Sequence, residues 1–142
     1  MSIKLSADEM KYMALFEAIT GVPSKDCVIL NSNDRIIFVV NHGKVGLAIG
    51  RNGKNVRHLR KIFKKNIDVV EYASTPEKLI KNCLHPSSSV EVKIIKRNGS
   101  KIALVTVKPE ERGIAIGKNG RNVIRARVLA KRYFGIDEVI IK

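Results

Sequence analysis

Ile49-Gly50-Arg51-Asn52-Gly53-Lys54-Asn55-Val56 returns as Ile116-Gly117-Lys118-Asn119-Gly120-Arg121-Asn122-Val123, with only arginine and lysine exchanging places. Each phrase holds two glycines three apart, a cation after each glycine, and asparagine at the remaining polar positions. Glycine here permits positive φ and removes the Cβ that would hold a second backbone at a distance. A helix starting just after the second glycine turns free N–H groups and its positive dipole end toward the same point, and Arg51, Lys54, Lys118 and Arg121 add full charges. The chemistry this set can perform is grip on an anionic backbone such as a phosphate chain. A plain tight corner with solvated cations accounts for one copy about as well, but poorly for two.

Other glycine motifs fit badly. A nucleoside-triphosphate loop requires G-x-x-x-x-G-K-[ST], yet Ala48 stands five residues before Gly53 and Asn55 follows Lys54. The dinucleotide fingerprint wants G-x-G-x-x-G after a strand, whereas Ala48 and Ala115 hold its first glycine position and the segments before them read as helix. No cofactor is expected. Metal-dependent phosphodiester chemistry needs clustered carboxylates, and the basic segments lack them, with Glu110 and Glu111 flanking one as an isolated pair. His42, His58 and His85 are scattered singly, and Cys27 and Cys83 make no ligand-spaced cluster. The chain therefore reads as a non-enzyme without a metal, its cysteines as buried apolar residues of a reducing compartment.

The elements that position the phrases repeat too. At the offset of 67 that carries Gly50 onto Gly117, residues Gly46, Ala48, Ile49, Gly50, Asn52, Gly53, Asn55, Val56 and Arg60 all meet identical residues, which indicates internal duplication. Ser6 and Glu9 form a capping box, and Tyr12, Leu15, Phe16 and Ile19 give a helix ending near Gly21. Cys27 to Leu30 and Arg35 to Val40 read as a hairpin across Asn31-Ser32-Asn33-Asp34. In the second half, Thr75-Pro76-Glu77 starts a short helix with Leu79, Ile80 and Cys83 that stops before Pro86. Val90 to Lys96 and Lys101 to Lys108 flank Arg97-Asn98-Gly99-Ser100, whose Asn-Gly pair suits a primed turn. Each half continues with a short helical stretch, the glycine phrase, a cationic helix and a final strand, Ile67 to Tyr72 or Ile136 to Ile141. The buried faces of the cationic helices are expected at Val56, Leu59, Ile62 and Phe63, and at Val123, Ala126, Leu129, Ala130 and Tyr133. The final strands are offset by 69, so the second helix or its loop should be two residues longer. Only Ala73-Ser74 separates the copies, too short for a flexible linker.

In its 142 residues the chain carries 27 Lys and Arg against 13 Asp and Glu, a formal charge of +14. The excess is concentrated around the phrases: His42 to Ile67 and Arg112 to Ile136 contain no acidic residue. Nucleic acid is the partner such a surface favours. No apolar run approaches the roughly 20 residues needed to span a bilayer, and the first ten residues lack the apolar core of a signal peptide. A soluble, cytoplasmic monomer without membrane contact is expected.

The order helix, strand, strand, helix, G-x-x-G, helix, strand, with I-G-x-N-G-x-N-V at its centre, resembles the type II K homology (KH) domain, whose G-x-x-G loop clamps nucleic-acid backbone. Tandem abutting units of this kind are similar to the RNA-binding portion of the NusA family of transcription termination and antitermination factors, in its archaeal form. The resemblance implies an α+β fold, an α/β sandwich of two tandem type II KH domains, each a helix-covered three-stranded mixed sheet, over residues 1–72 and 73–142. It further implies single-stranded RNA as ligand and RNA polymerase or the elongation complex as protein partner. On this pattern Gly50, Arg51, Asn52, Gly53 and Lys54, with Gly117, Lys118, Asn119, Gly120 and Arg121, hold the sugar-phosphate chain. Ile49, Val56, Ile116 and Val123 form an apolar floor for bases, and Arg57 adds charge, with Arg60, Lys61, Arg125 and Arg127 further along the cationic helices. A low aromatic content of 5% without Trp agrees with bases resting on aliphatic groups rather than on stacking platforms. Affinity should fall with salt at a log–log slope of roughly −0.7 per phosphate neutralised. A ribosome-associated or other general RNA-binding protein, or a binder of single-stranded DNA, remains the alternative.

Overall fold

The computed structural model describes residues 4–84 and 89–142, and the chain divides into two compact units between Tyr72 and Ala73. The first unit opens on helix α1 (Ala7–Thr20). The Ser6 hydroxyl accepts from the Glu9 amide at 3.1 Å, and the Glu9 carboxylate accepts from the Ser6 amide at 2.8 Å. Gly21 ends the helix in the left-handed region at φ 73°, its N–H bonding the Glu17 carbonyl at 2.8 Å. Strands β1 (Ser24–Leu30) and β2 (Arg35–Val40) then pair antiparallel. Helices α2 (Val45–Ile49) and α3 (Lys54–Phe63) follow, and β3 (Asn66–Glu71) returns parallel to β2. The sheet order β1-β2-β3 is mixed, because a parallel neighbour needs a crossover and the helix pair supplies it.

Burial fixes that helix pair to the sheet. Ile36 to Val40 are all fully buried, as expected of a central strand without polar alternation. Phe16 stacks on Phe38 with ring centroids 4.3 Å apart, and Phe63 reaches Phe38 at 6.0 Å and Tyr12 at 4.6 Å. Leu59 of α3 and Ala48 of α2 join the same core. Ile62 does not: it is 44% exposed. At 100° per residue it falls about 90° round the helix from the middle of the Val56, Leu59 and Phe63 stripe.

The second unit repeats the topology. Helix α4 (Pro76–Cys83) starts at Thr75, whose hydroxyl accepts from the Lys78 amide at 3.4 Å, with Pro76 at its first position. Strands β4 (Val90–Arg97) and β5 (Ser100–Val107) pair antiparallel around Asn98 and Gly99, both at positive φ (53° and 83°), as a primed two-residue turn requires. Helices α5 (Arg112–Ile116) and α6 (Arg121–Phe134) cross to β6 (Glu138–Ile141), which lies parallel to β5. This is the α+β class expected, with a three-stranded mixed sheet in each unit. His85 and Pro86, the expected stop of α4, lie outside the described residues.

Two strand starts differ from expectation, and the first is β1, which begins at Ser24, three residues before Cys27. Ile136 is not the first residue of a strand: β6 begins at Glu138, while Ile136 is 2% exposed and bonds the Ala130 carbonyl through its N–H at 3.3 Å. An apolar residue that plugs the core from a connection looks, in sequence, like a strand start. The added length in this copy lies chiefly in α6, which has 14 residues against 10 in α3.

Candidate nucleic-acid interface

Each repeated phrase forms one turn, built the same way twice. In the first, Gly50 sits at φ 81°, ψ 165°, Asn52 at φ 55°, ψ 28° and Gly53 at φ 73°, ψ 18°. In the second, Gly117 sits at φ 82°, ψ 166°, Asn119 at φ 58°, ψ 24° and Gly120 at φ 71°, ψ 17°. The Gly53 N–H bonds the Gly50 carbonyl at 3.0 Å, and the Gly120 N–H bonds the Gly117 carbonyl at 3.0 Å. Asparagine is one of the few side chains that tolerates the left-handed region, which accounts for Asn52 and Asn119.

The second asparagine of each phrase has a different task. The Asn55 amide donates across the turn to the Leu47 carbonyl at 3.3 Å, and Asn122 donates to the Ile114 carbonyl at 3.3 Å. These struts pass close under the first glycine. A Cβ on Gly50 would lie 2.9 Å from the Asn55 amide group and 3.1 Å from its backbone nitrogen; one on Gly117 would lie 2.9 Å from the Asn122 amide group. The first glycine is therefore required by both its backbone angles and its neighbour.

The turns feed helix ends that differ from those of α1 and α4. Helices α1 and α4 start with a side-chain cap and acidic residues in the first turn, Asp8 and Glu9, and Glu77. Helices α3 and α6 start at Gly53 and Gly120 with neither a side-chain cap nor a first-turn acid. Their positive ends are left open to an anion. Arg51, Asn52, Lys54, Arg57, Lys118, Asn119 and Arg121 stand exposed around them, and Gly50, Gly53, Gly117 and Gly120 are half-buried. Of the apolar floor, Ile49, Val56 and Ile116 are half-buried, whereas Val123 is 5% exposed and belongs to the core.

Several cations have intramolecular work. The Arg57 guanidinium donates to the Asn52 carbonyl and so braces the first turn from behind; Ile124 occupies the matching place in the second. Arg125 donates through Nε to the Cys83 carbonyl at 2.8 Å, tying off the end of α4, and to the Asn122 side-chain oxygen at 2.9 Å. Arg127 donates to the Val139 carbonyl on β6 at 3.3 Å. His42 pairs with Glu71, Nδ1 to Oε2 at 2.9 Å, and the other carboxylate oxygen accepts from the Gly43 amide at 3.0 Å, so Glu71 clasps the loop leading into α2.

Sequence reasoning missed two residues. Leu47 and Ile114, at equivalent positions three residues before the first glycine, are 62% and 53% exposed. A five-residue helix is too short to show which face is apolar, but a large aliphatic residue at the same offset in both copies was a legible signal. In the second unit a concavity of about 730 Å³ also opens between α6 and β6, with Arg127, Val128, Lys131, Asp137, Val139 and Ile140 in its lining. The Lys101 amide, bonded at 2.9 Å, and then the Lys131 ammonium hold the Asp137 carboxyl below the usual aspartate range, against a smaller opposing effect of desolvation. Among the described residues no group of three His, Cys, Asp or Glu side chains is placed to hold a metal, and no helix is long and apolar enough to cross a membrane.

A sequence profile of the KH domain matches residues 11–98, and a profile of the NusA-like second KH domain matches residues 76–141. The Halobacterium salinarum protein named "Probable transcription termination protein NusA" is 35% identical over 139 residues, 98% of either chain. The chain belongs to the NusA family. A NusA relative from Methanocaldococcus jannaschii with the same printed name is 31% identical over 137 residues, 96% of this chain and 74% of that one. Among solved structures, the crystal structure of APE1850 superposes with a TM-score of 0.88 at 39% identity, covering 97% of this chain and all of that one. The NusA-like chain thus has both of its glycine turns inside regions matched by KH profiles.

Proposed function

We propose that this NusA-family chain binds single-stranded RNA and that its two G-x-x-G turns, Gly50 to Gly53 and Gly117 to Gly120, are the phosphate clamps. The observation that carries the reading is the duplicate turn: two backbones with matching angles, each opening an uncapped helix end ringed by exposed cations. Ile49, Val56 and Ile116, with Leu47 and Ile114 beside them, give bases an aliphatic surface; Val123 supports that floor from within the core. Residues 1–72 and 73–142 act as the two KH domains. The relatives' names point to a role in transcription termination, and we place the chain there or in antitermination, with RNA polymerase or the elongation complex as its protein partner.

The test is titration of short unstructured RNA against the wild type and two charge-swapped turns, Arg51→Asp/Asn52→Asp and Lys118→Asp/Asn119→Asp, at several salt concentrations. Folded variants that lose about tenfold or more in affinity, equivalent to about 1.4 kcal/mol, support the reading. Unchanged affinity in folded variants would mean that the basic helices bind nonspecifically and the turns do not grip. Co-sedimentation with ribosomal subunits in place of the elongation complex would move the assignment away from transcription.

A further inference from the structure

The concavity between α6 and β6 holds groups of both charge signs against an aliphatic wall. Half-buried Val128 and Ile140, 38% exposed, give the wall; Arg127 and Lys131 enter from α6, Asp137 and Glu138 from β6 and its approach. Its volume of about 730 Å³ lies in the range of clefts that take small ligands. Lys131 and Asp137 meet at 3.4 Å and offset each other. Arg127 and Glu138 are left: among the described residues Glu138 has no side-chain partner, and Arg127 bonds only Val139.

Arg127 meets the Val139 carbonyl with one edge of its guanidinium, Nε at 3.4 Å and Nη2 at 3.3 Å. The group carries five N–H donors in a planar fork, so this contact fixes its plane and leaves the Nη1 and Nη2 end free. That end matches two acceptors side by side, as on the O6 and N7 edge of guanine; adenine sets an amino donor beside its N7, and pyrimidines have no N7. A carboxylate only accepts, which suits the adjacent N1–H and N2–H donors of guanine's pairing edge. Guanine is therefore the base whose two edges fit a guanidinium fork and a carboxylate together. A bare phosphate fits less well, because Glu138 repels it.

The concavity also lies on the path from the second turn. Gly120, Ile124, Val128 and Lys131 follow one line of α6 at helical spacing, with Ile124 half-buried. Arg127 is about 10 Å along the helix from Gly120. In the first copy Arg60 stands 67 residues before Arg127, but Val69 stands 69 before Glu138, so the acceptor is missing there.

Resting on the RNA-binding reading above, we infer that this concavity is a guanine-selective base pocket. Arg127 takes O6 and N7 through its free end, Glu138 takes N1–H and N2–H, and Val128 and Ile140 lie against the ring.

Fluorescence anisotropy on the full chain tests this with a short oligouridine and the same strand carrying one guanosine, or one adenosine, at each position in turn. The best guanosine strand should bind about tenfold tighter than the others, within what one bidentate base contact supplies. Arg127→Lys keeps the charge and removes the fork, and Glu138→Val removes the acceptor. Each should bring all strands to within about twofold of one another, without a fall in oligouridine affinity. A strand with 7-deazaguanosine, which lacks the N7 acceptor, should lose the preference on the wild type, so the test does not depend on how well a variant folds. Displacement of the guanosine strand by guanosine 5′-monophosphate would show that the pocket also takes guanine from a free nucleotide; without displacement, guanine enters only as part of a strand. Equal affinity for all strands on the wild type, or a preference that survives both substitutions, overturns the pocket while RNA binding stands. Failure of the wild type to bind any single-stranded RNA removes the RNA-binding reading itself, and this inference with it.

Discussion

The side-chain amide of Asn55 crosses the first glycine turn to donate to the carbonyl of Leu47 at 3.3 Å. This bond ties the last turn of one helix to the first turn of the next, so the angle at which the turn presents its N–H groups depends on it. The same strut joins Asn122 to Ile114. Asn55→Ala and Asn122→Ala should each cost about 0.5–1.5 kcal/mol. Gly50→Ala and Gly117→Ala, which force a side chain into a glycine-only backbone region against the strut, should cost about 1–3 kcal/mol each. Urea unfolding midpoints measure both series, and an alanine at either glycine with wild-type stability would refute the geometry.

Leu47 and Ile114 make the opposite prediction. Both are large, aliphatic and more than half exposed, so Leu47→Ser and Ile114→Ser should leave stability within about 0.5 kcal/mol of wild type. If RNA bases rest there, each variant should lose roughly fivefold in affinity, about 1 kcal/mol of apolar contact. Paired melting and binding curves distinguish an interface role from a packing role.

Arg125 separates stability from binding in the other direction. It is half-buried and bonded to the Cys83 carbonyl and the Asn122 side chain. Arg125→Ala should destabilise the chain by about 1–3 kcal/mol, since it strips partners from part-buried groups. Arg60→Ala, at an exposed cation of α3, should be silent in the same melt and should weaken RNA binding at low salt.

Acid should act through Asp137. Its carboxyl is held below the usual range by the Lys101 amide and then by Lys131. A group depressed in the folded state contributes stability that is present above its unfolded value and is lost as pH falls through the folded one. Stability should therefore decline as pH drops through and below the ordinary aspartate range, and Asp137→Asn should make that part of the curve shallower. Chemical denaturation at a series of acidic pH values checks the slope; identical slopes for both proteins would exclude the effect.

Much of this was legible in the chain itself, for local reasons. The Ser6–Glu9 box, the Thr75-Pro76 start and the Asn98-Gly99 turn are each decided by neighbours within four residues, and all three stand as expected. The duplicated phrase announced its own turn. What escaped depends on contacts distant in sequence or on elements too short to carry a period. Nothing local to Arg125 says that it will meet Cys83, 42 residues away. Ile136 and Ile62 were read from pattern alone, the first as strand and the second as core, and tertiary packing assigned both otherwise.

The central claim is that both glycine turns hold RNA backbone. Backbone amide chemical shifts of the full chain, followed while a short single-stranded RNA is added, test it most directly. The account predicts the largest shifts at Gly50 to Lys54 and Gly117 to Arg121. Shifts confined to other surfaces, such as the Lys93 and Lys96 side of β4, with both turns unmoved, would contradict it.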